Sequence, residues 1–390
     1  MNPRDFENSP AGRVIKTPLG HYAFVPNPLP PPLEFDYKMA SMLAEAERAL
    51  GNLVGVGNML PNPELLIRPF ARREAVLSSR IEGTQTSLTE LVEYEAGQLP
   101  LRGLASDSDA RSDVREVHNY RVALQHGLER LNELPLSLRF TRELHKLLME
   151  GDRGKDTRPG EFRSEQNWIG PPGSSIEEAT FVPPAVPEMH EALDSWEHYL
   201  HVESELPLLI QCALLHYQFE TIHPFVDGNG RVGRLLIPLY LAAKGLLPKP
   251  LLYLSAYFEA NRRDYYELMF AVSQRGAWPE WIAFFLRGVA EQSRDAVARS
   301  QRMLQLRESY RERFLGMRAS SLRLRLIDLL FERPVTTAFL VASQLEISQV
   351  SAGNVINDLL FHGIIREVTG QRRNRVFVAE ELLRAIEEDA

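Results

Sequence analysis

His223-Pro224-Phe225-Val226-Asp227-Gly228-Asn229-Gly230-Arg231-Val232-Gly233-Arg234 concentrates an imidazole, a carboxylate, a Gly-Asn-Gly turn and two guanidinium groups into twelve residues. Apolar segments flank it, Leu206 to Phe219 before and Leu235 to Leu247 after, each long enough for a helix. The spacing therefore predicts a helix-loop-helix. A glycine-rich turn that feeds a helix N-terminus presents unpaired N–H groups and the positive end of the helix dipole, and two arginines there strengthen the pull on anions. The stretch predicts a phosphate site. His223 is its candidate base, because an imidazole titrates near neutral pH. Asp227 is its candidate Mg²⁺ ligand, because one carboxylate plus phosphate oxygens is a normal Mg²⁺ arrangement.

Gly228 to Gly233 also spells G-x-G-x-x-G, the dinucleotide fingerprint. That reading needs a strand before the glycines and an acid about 20 residues on. Here a helical pattern and His223-Pro224 precede it, and Leu246 to Pro250 offers lysine and proline. No G-x-x-x-x-G-K-[ST] occurs either.

The twelve residues resemble the Fic family signature, H-x-F-x-[DE]-G-N-G-R-x-x-R, at every specified position. The resemblance implies transfer of AMP from ATP to a hydroxyl of a target protein. His223 would be the general base and Asp227 would hold Mg²⁺. Gly228, Asn229 and Gly230 would line the anion pocket. Arg231 would stabilise the phosphates as pyrophosphate leaves, Arg234 would orient the terminal phosphate, and Phe225 would anchor the loop. Asn261, in the block Asn261-Arg262-Arg263-Asp264-Tyr265-Tyr266, would contact the nucleotide. Ser78-Ser79-Arg80-Ile81-Glu82-Gly83 resembles the family's inhibitory motif, [ST]-x-x-x-E-[GN], anchored by Ser78, Glu82 and Gly83. Glu82 would then pair with Arg234 and block placement of the γ-phosphate. By itself the second pattern is weak, and it gains meaning from the first.

The rest of the chain sets bounds. Its 390 residues predict two or three domains, and 44% hydrophobic with 25% charged residues supplies a sizeable core. A net charge of −8 argues against a generally basic nucleic-acid coat. Cys212 is the only cysteine, which excludes an internal disulfide or a cysteine-cluster zinc site and suits a reducing cytoplasm. No signal peptide and no membrane span is expected.

The expected organisation is mainly α, a Fic helical core with a β-hairpin flap and a C-terminal winged helix-turn-helix. Residues 1–112 form an N-terminal segment and a helical region with the inhibitory helix, 113–317 the catalytic core and 318–390 the winged helix. The N-terminal segment is extended, with Gly20 to Pro26 either a short strand or a stretch draped over the body. Helices are predicted over Phe35 to Leu50, Leu65 to Ile81, Ser87 to Ala96, Asp113 to Leu131, Leu138 to Met149, Glu188 to Leu200, Leu206 to Thr221, Val232 to Leu247, Ser255 to Arg275 and Trp278 to Phe314. The irregular stretch from Gly151 to Pro184 is the expected flap, which in the family aligns the target segment by β-augmentation. From Leu322 on, three helices (Leu322 to Phe331, Val335 to Leu345, Gln349 to His362) precede two strands (Ile364 to Thr369, Arg375 to Val378). The wing tip carries Arg372, Arg373 and Arg375, and Arg318 to Val378 holds eight arginines against five acids. That local excess suits duplex DNA, and winged helices also serve protein contacts.

These readings converge on an autoinhibited protein adenylyltransferase that uses ATP and Mg²⁺. It would modify Ser, Thr or Tyr hydroxyls of other proteins or itself, with duplex DNA and a homodimer as further partners. The alternatives are a DNA-binding regulator whose Fic domain senses nucleotide, or a Fic enzyme that mainly removes AMP.

Overall fold

A computed structural model describes residues 1–60, 62–97, 108–151, 158–171, 173–315, 320–371 and 373–388. The chain packs as two compact units, residues 1–51 with 122–292, and residues 52–121 with 293–390. The boundaries fall inside three long helices, α1 (Tyr37–Met59), α4 (Ser108–Arg130) and α11 (Trp278–Glu312). Among the described residues no helix is long and apolar enough to cross a membrane.

The first unit is built around two consecutive helices, α7 (Leu208–Ile222) and α8 (Asn229–Ala243), which are buried on almost every side. Their apolar sequences leave no polar face to give to water, so they form the centre. Two indoles anchor α7 by donating to its carbonyls, Trp196 to Leu215 and Trp281 to Ala213, both at 3.0 Å. Around this pair lie α5 (Leu138–Leu148), α6 (Val186–His201), α9 (Ser255–Ala260) and α10 (Arg262–Arg275). The single helix expected over Ser255 to Arg275 is broken. Asn261 turns its side chain back to the Tyr257 carbonyl at 2.9 Å and splits it in two.

At the N-terminus β1 (Gly12–Lys16) pairs antiparallel with β2 (Tyr22–Pro26). The expected strand over Gly20 to Pro26 is β2. Its partner β1 has too little apolar alternation to declare itself and is ordered by pairing. Phe24 of β2 donates its N–H to the Val182 carbonyl at 2.9 Å, and its ring packs with Phe6 and Phe181. Among the described residues of the expected hairpin flap, one antiparallel pair forms, Ile169 with Phe181, joined by reciprocal backbone bonds of 2.8 and 3.0 Å.

The second unit holds α2 (Glu64–Ile81), α3 (Leu88–Glu95) and the winged helix. The winged helix comprises α12 (Ser320–Glu332), β3 (Val335–Thr337), α13 (Ala338–Leu345), α14 (Gln349–Phe361), β4 (Arg366–Glu367) and β5 (Val376–Val378), with α15 (Glu380–Glu387) after it. The sheet is antiparallel in the order β3-β5-β4. Val335 to Thr337, expected as the start of a helix, is a strand instead. Thr337 then caps α13 by accepting from the Leu340 N–H at 3.2 Å.

A buried ionic cluster ties this unit together. Arg72 of α2 reaches Glu95 of α3 at 2.7 Å and the Glu332 carbonyl of α12 at 2.6 Å. Arg121 and His118 of α4 flank the same carboxylate. Burial alone would raise the Glu95 pKa, but His118, Arg72 and Arg121 outweigh it and hold the group at about 2. A depressed pKa stabilises the fold above the ordinary carboxylate value of 4.5 and stops doing so as pH falls toward 2. Glu95→Gln should therefore destabilise by on the order of 3 kcal/mol at pH 7. In urea titrations the gap between parent and variant should close as pH falls from about 4.5 toward 2. A gap that stays constant with pH would contradict this account of the cluster.

Candidate active site

The loop from His223 to Gly228 joins α7 to α8, as the spacing predicts. His223 closes α7 in the left-handed conformation, φ 50° and ψ 60°. For a side-chain-bearing residue that conformation costs on the order of 1 kcal/mol, so neighbours must hold it. They do so at its carbonyl, which accepts from Arg163 Nε at 3.0 Å and Asn167 Nδ2 at 3.2 Å. Its ring is fixed at Nδ1, 3.2 Å from the Glu220 carbonyl. A carbonyl only accepts, so Nδ1 carries the proton and the lone pair of the neutral ring sits on Nε2.

The remaining loop is pinned from beneath. Asn229 accepts from the Phe225 N–H at 2.8 Å and donates to the Phe225 carbonyl at 2.9 Å. It is 2% exposed, so its side chain clamps both backbone polar groups of Phe225 from the first turn of α8. Asn229→Ala would strand that buried N–H, and we expect a loss of about 2–3 kcal/mol in denaturant unfolding. A change below about 0.5 kcal/mol would show that the clamp is dispensable.

The Phe225 ring is fully buried and stacks on His145 of α5, ring centroids 3.7 Å apart. His145 Nδ1 accepts from the Gly160 N–H at 2.9 Å, so its Nε2 donates to the Asp227 carbonyl at 3.1 Å. Burial lowers its pKa to about 4, which keeps the ring neutral at physiological pH. Arg163, 1% exposed, also donates to the Pro184 carbonyl at 2.5 Å, and its backbone N–H bonds Pro224 at 2.9 Å. Burial brings its pKa down to about 10, so it remains charged. One guanidinium thus joins the flap segment to the motif loop.

Gly228 starts α8 at φ 78°, a position that favours glycine, and a Cβ there would lie 2.9 Å from Met149 Sδ. Gly230, Arg231 and Arg234 follow in the first turns of α8. Asp227 is 58% exposed, and its Oδ1 accepts from the Gly228 N–H at 2.6 Å and lies 3.5 Å from Arg231 Nη2. Arg231 and Arg234 are 5% and 2% exposed. Gly233 lets α7 and α8 approach, since a Cβ there would fall 2.2 Å from a Glu220 carboxylate oxygen. Its carbonyl bonds His216 Nδ1 at 3.2 Å, and His216 Nε2 meets the Tyr265 hydroxyl at 2.8 Å. Full burial drives the His216 pKa to about 3, so this histidine stays neutral.

The structure therefore brings His223, Asp227, Gly228, Asn229, Gly230, Arg231 and Arg234 together. Asn261 joins α9 to α10, and its side-chain amide donates to the Tyr257 carbonyl. Glu82, Ser78 and Gly83 belong to the other unit. There Ser78 is fully buried, Glu82 is the exposed C-cap of α2, and Gly83 has φ 101°. Arg373 is exposed at the wing, and Arg375 lies 5.0 Å over the Phe377 ring. Arg372 lies outside the described residues. Sequence reasoning missed Glu220, whose carbonyl fixes the His223 ring three residues on, and His145 and His216, whose roles depend on neighbours distant in the chain. Arg163 and Asn167 stand in the expected flap, yet nothing local shows that both grip His223.

A helical core that presents such a loop at a buried helix start defines a fold class, and comparison with known proteins gives it a family. Residues 40–129 match the Fic/DOC family N-terminal region and residues 135–241 the Fic/DOC family domain. Residues 324–377 match an HTH DNA binding domain. The chain belongs to the Fic family and carries a C-terminal winged helix. It is 30% identical over 148 residues to a protein adenylyltransferase Fic of Drosophila virilis, an alignment that takes in 37% of this chain and 28% of the relative. The chain thus spans less than a third of the length of that relative. A Fic family protein from Desulfovibrio desulfuricans G20 superposes with a TM-score of 0.57 at 18% identity, covering 90% of this chain and 98% of that one. A Fic domain containing signalling protein from Bacteroides thetaiotaomicron superposes at 0.51 with 20% identity, covering 68% and 97%. At those identities the likeness concerns fold alone.

Proposed function

We propose that this chain is a protein adenylyltransferase that moves AMP from ATP to a Ser, Thr or Tyr hydroxyl of a protein, its own included. The observation that carries the reading is the His223 ring, held through Nδ1 so that Nε2 keeps the lone pair, in the loop that leads into the glycine-rich start of α8. The acceptor oxygen attacks the α-phosphorus, its proton passes to Nε2, and the bond to the bridging oxygen breaks so that pyrophosphate leaves. Nucleotidyl transfer needs charge neutralisation and alignment more than covalent help. Arg231 and Arg234 supply positive charge from α8, and the backbone N–H groups of its first turn face the phosphates. His145 and Asn229 hold the loop so that these donors do not have to reorganise.

Asp227 would hold Mg²⁺, which when bound neutralises phosphate charge. A single exposed carboxylate suits an ion that arrives with the nucleotide, as Mg²⁺ commonly keeps several waters and phosphate ligands. Among the described residues no group of three or more His, Cys, Asp or Glu could hold a metal by itself. Glu82 restrains the reaction by pairing with Arg234, and the segment around the exposed Ile169, paired with the buried Phe181, presents an edge for the target segment. The winged helix binds duplex DNA, with Arg372, Arg373 and Arg375 on phosphates. The test is intact-protein mass spectrometry after incubation with ATP and Mg²⁺, alone and with a cell lysate. The reading predicts addition of one or more AMP groups. Failure to modify self or any lysate protein, even with Glu82 replaced, would overturn it.

A further inference from the structure

The exposed face of α14 has an unusual composition. Gln349, Val350, Gly353, Asn354 and Asn357 fall within an arc of about 140° at 100° per residue. Gln349, Asn354 and Asn357 are exposed, and Val350 is 74% exposed although apolar. The opposite arc, Ala352, Val355, Ile356 and Leu359, is buried. The helix contains no lysine or arginine. Its one charged side chain, Asp358, is held by Arg323 at 2.6 Å. The outward face therefore offers amides and methyl groups.

Gly353 adds a second observation. It lies inside the helix, where glycine is less favourable than alanine. A Cβ at this position would meet nothing within 4 Å in the chain. Internal packing does not require the glycine. A surface that must approach another molecule closely does.

We infer that α14 reads adenine·thymine pairs in the major groove of duplex DNA. The inference rests on the reading of this module as a DNA binder. In helix-turn-helix proteins the N-terminal part of the second helix contacts base edges, and α14 occupies that place with Ser348 as its cap. Glutamine and asparagine match adenine at N6 and N7, an apolar side chain meets the thymine methyl, and guanine is most often read by arginine or lysine. Gln349, Asn354 and Asn357 supply the first chemistry and Val350 the second, and α14 lacks the third. Gly353 lowers the face between them. Positive charge is placed off the reading helix, at Arg373 and Arg375, where it holds phosphate and sets register without specifying sequence.

The full chain should be challenged with a pool of duplexes carrying a randomised segment, and the retained duplexes sequenced. We expect a short A·T core to be enriched. Asn354→Ala should lose about ten- to a hundredfold in affinity for the selected duplex, with affinity for an unrelated duplex unchanged. Arg373→Ala should weaken both duplexes alike and reduce the salt dependence. Enrichment of G·C cores, retention without sequence preference, or an Asn354→Ala chain that binds the selected duplex like the parent would overturn the inference while the module remains a DNA binder. No retention of any duplex at low salt would overturn both and assign this face to a protein partner.

Discussion

His223→Ala is expected to reduce AMP transfer about 10²–10⁴-fold, the span by which a positioned general base accelerates proton transfer. Asp227 and the two arginines of the loop cannot replace it, since a carboxylate is a weak base near neutral pH and a guanidinium has no lone pair to offer. The substitution leaves the backbone contacts in place, because Arg163 and Asn167 bind the His223 carbonyl and not its ring. Nucleotide affinity should change little, as the anion-binding groups belong to α8. Initial rates at saturating ATP, together with ATP binding by calorimetry, separate the two effects. A His223→Ala chain that binds ATP and transfers AMP at the parental rate would remove His223 as the base.

Glu82→Gly is expected to raise the initial rate, on the order of a hundredfold if inhibition acts by displacing the phosphates about an ångström. Arg234→Ala in the same chain should cancel the gain, because the arginine thus released is the agent. Initial rates are the proper readout, since a glutamate that also supported AMP removal would inflate end-point labelling when lost. Equal initial rates for parent and Glu82→Gly would dismiss Glu82 as inhibitor.

The parts of this fold that were legible in the sequence are those set by local chemistry. Period and length place α2, α5, α7 and α8 within a few residues, and Ser348 caps α14 as its position suggests. Gly83 closes α2 through a positive φ that its lack of a side chain permits. The legibility fails where a distant partner decides. β1 exists because β2 lies opposite, and β3 because β5 does. Asn261 breaks a helical pattern through one side-chain bond. The same holds at the site. The motif names His223 and the arginines, but its rigidity comes from His145 under Phe225, Arg163 across from Pro184 and His216 behind Gly233. Each looks ordinary along the chain and acquires its role only on packing.

The central claim is that the group leaving ATP for the protein is AMP and that His223 takes the proton. The most direct measurement uses Glu82→Gly protein with ATP labelled on either the α- or the γ-phosphate, each with and without His223→Ala. Protein should acquire label from α-labelled ATP alone, and His223→Ala should slow that labelling by about 10²–10⁴-fold. Label arriving from the γ-phosphate, or α-label acquired at the parental rate without His223, would contradict it.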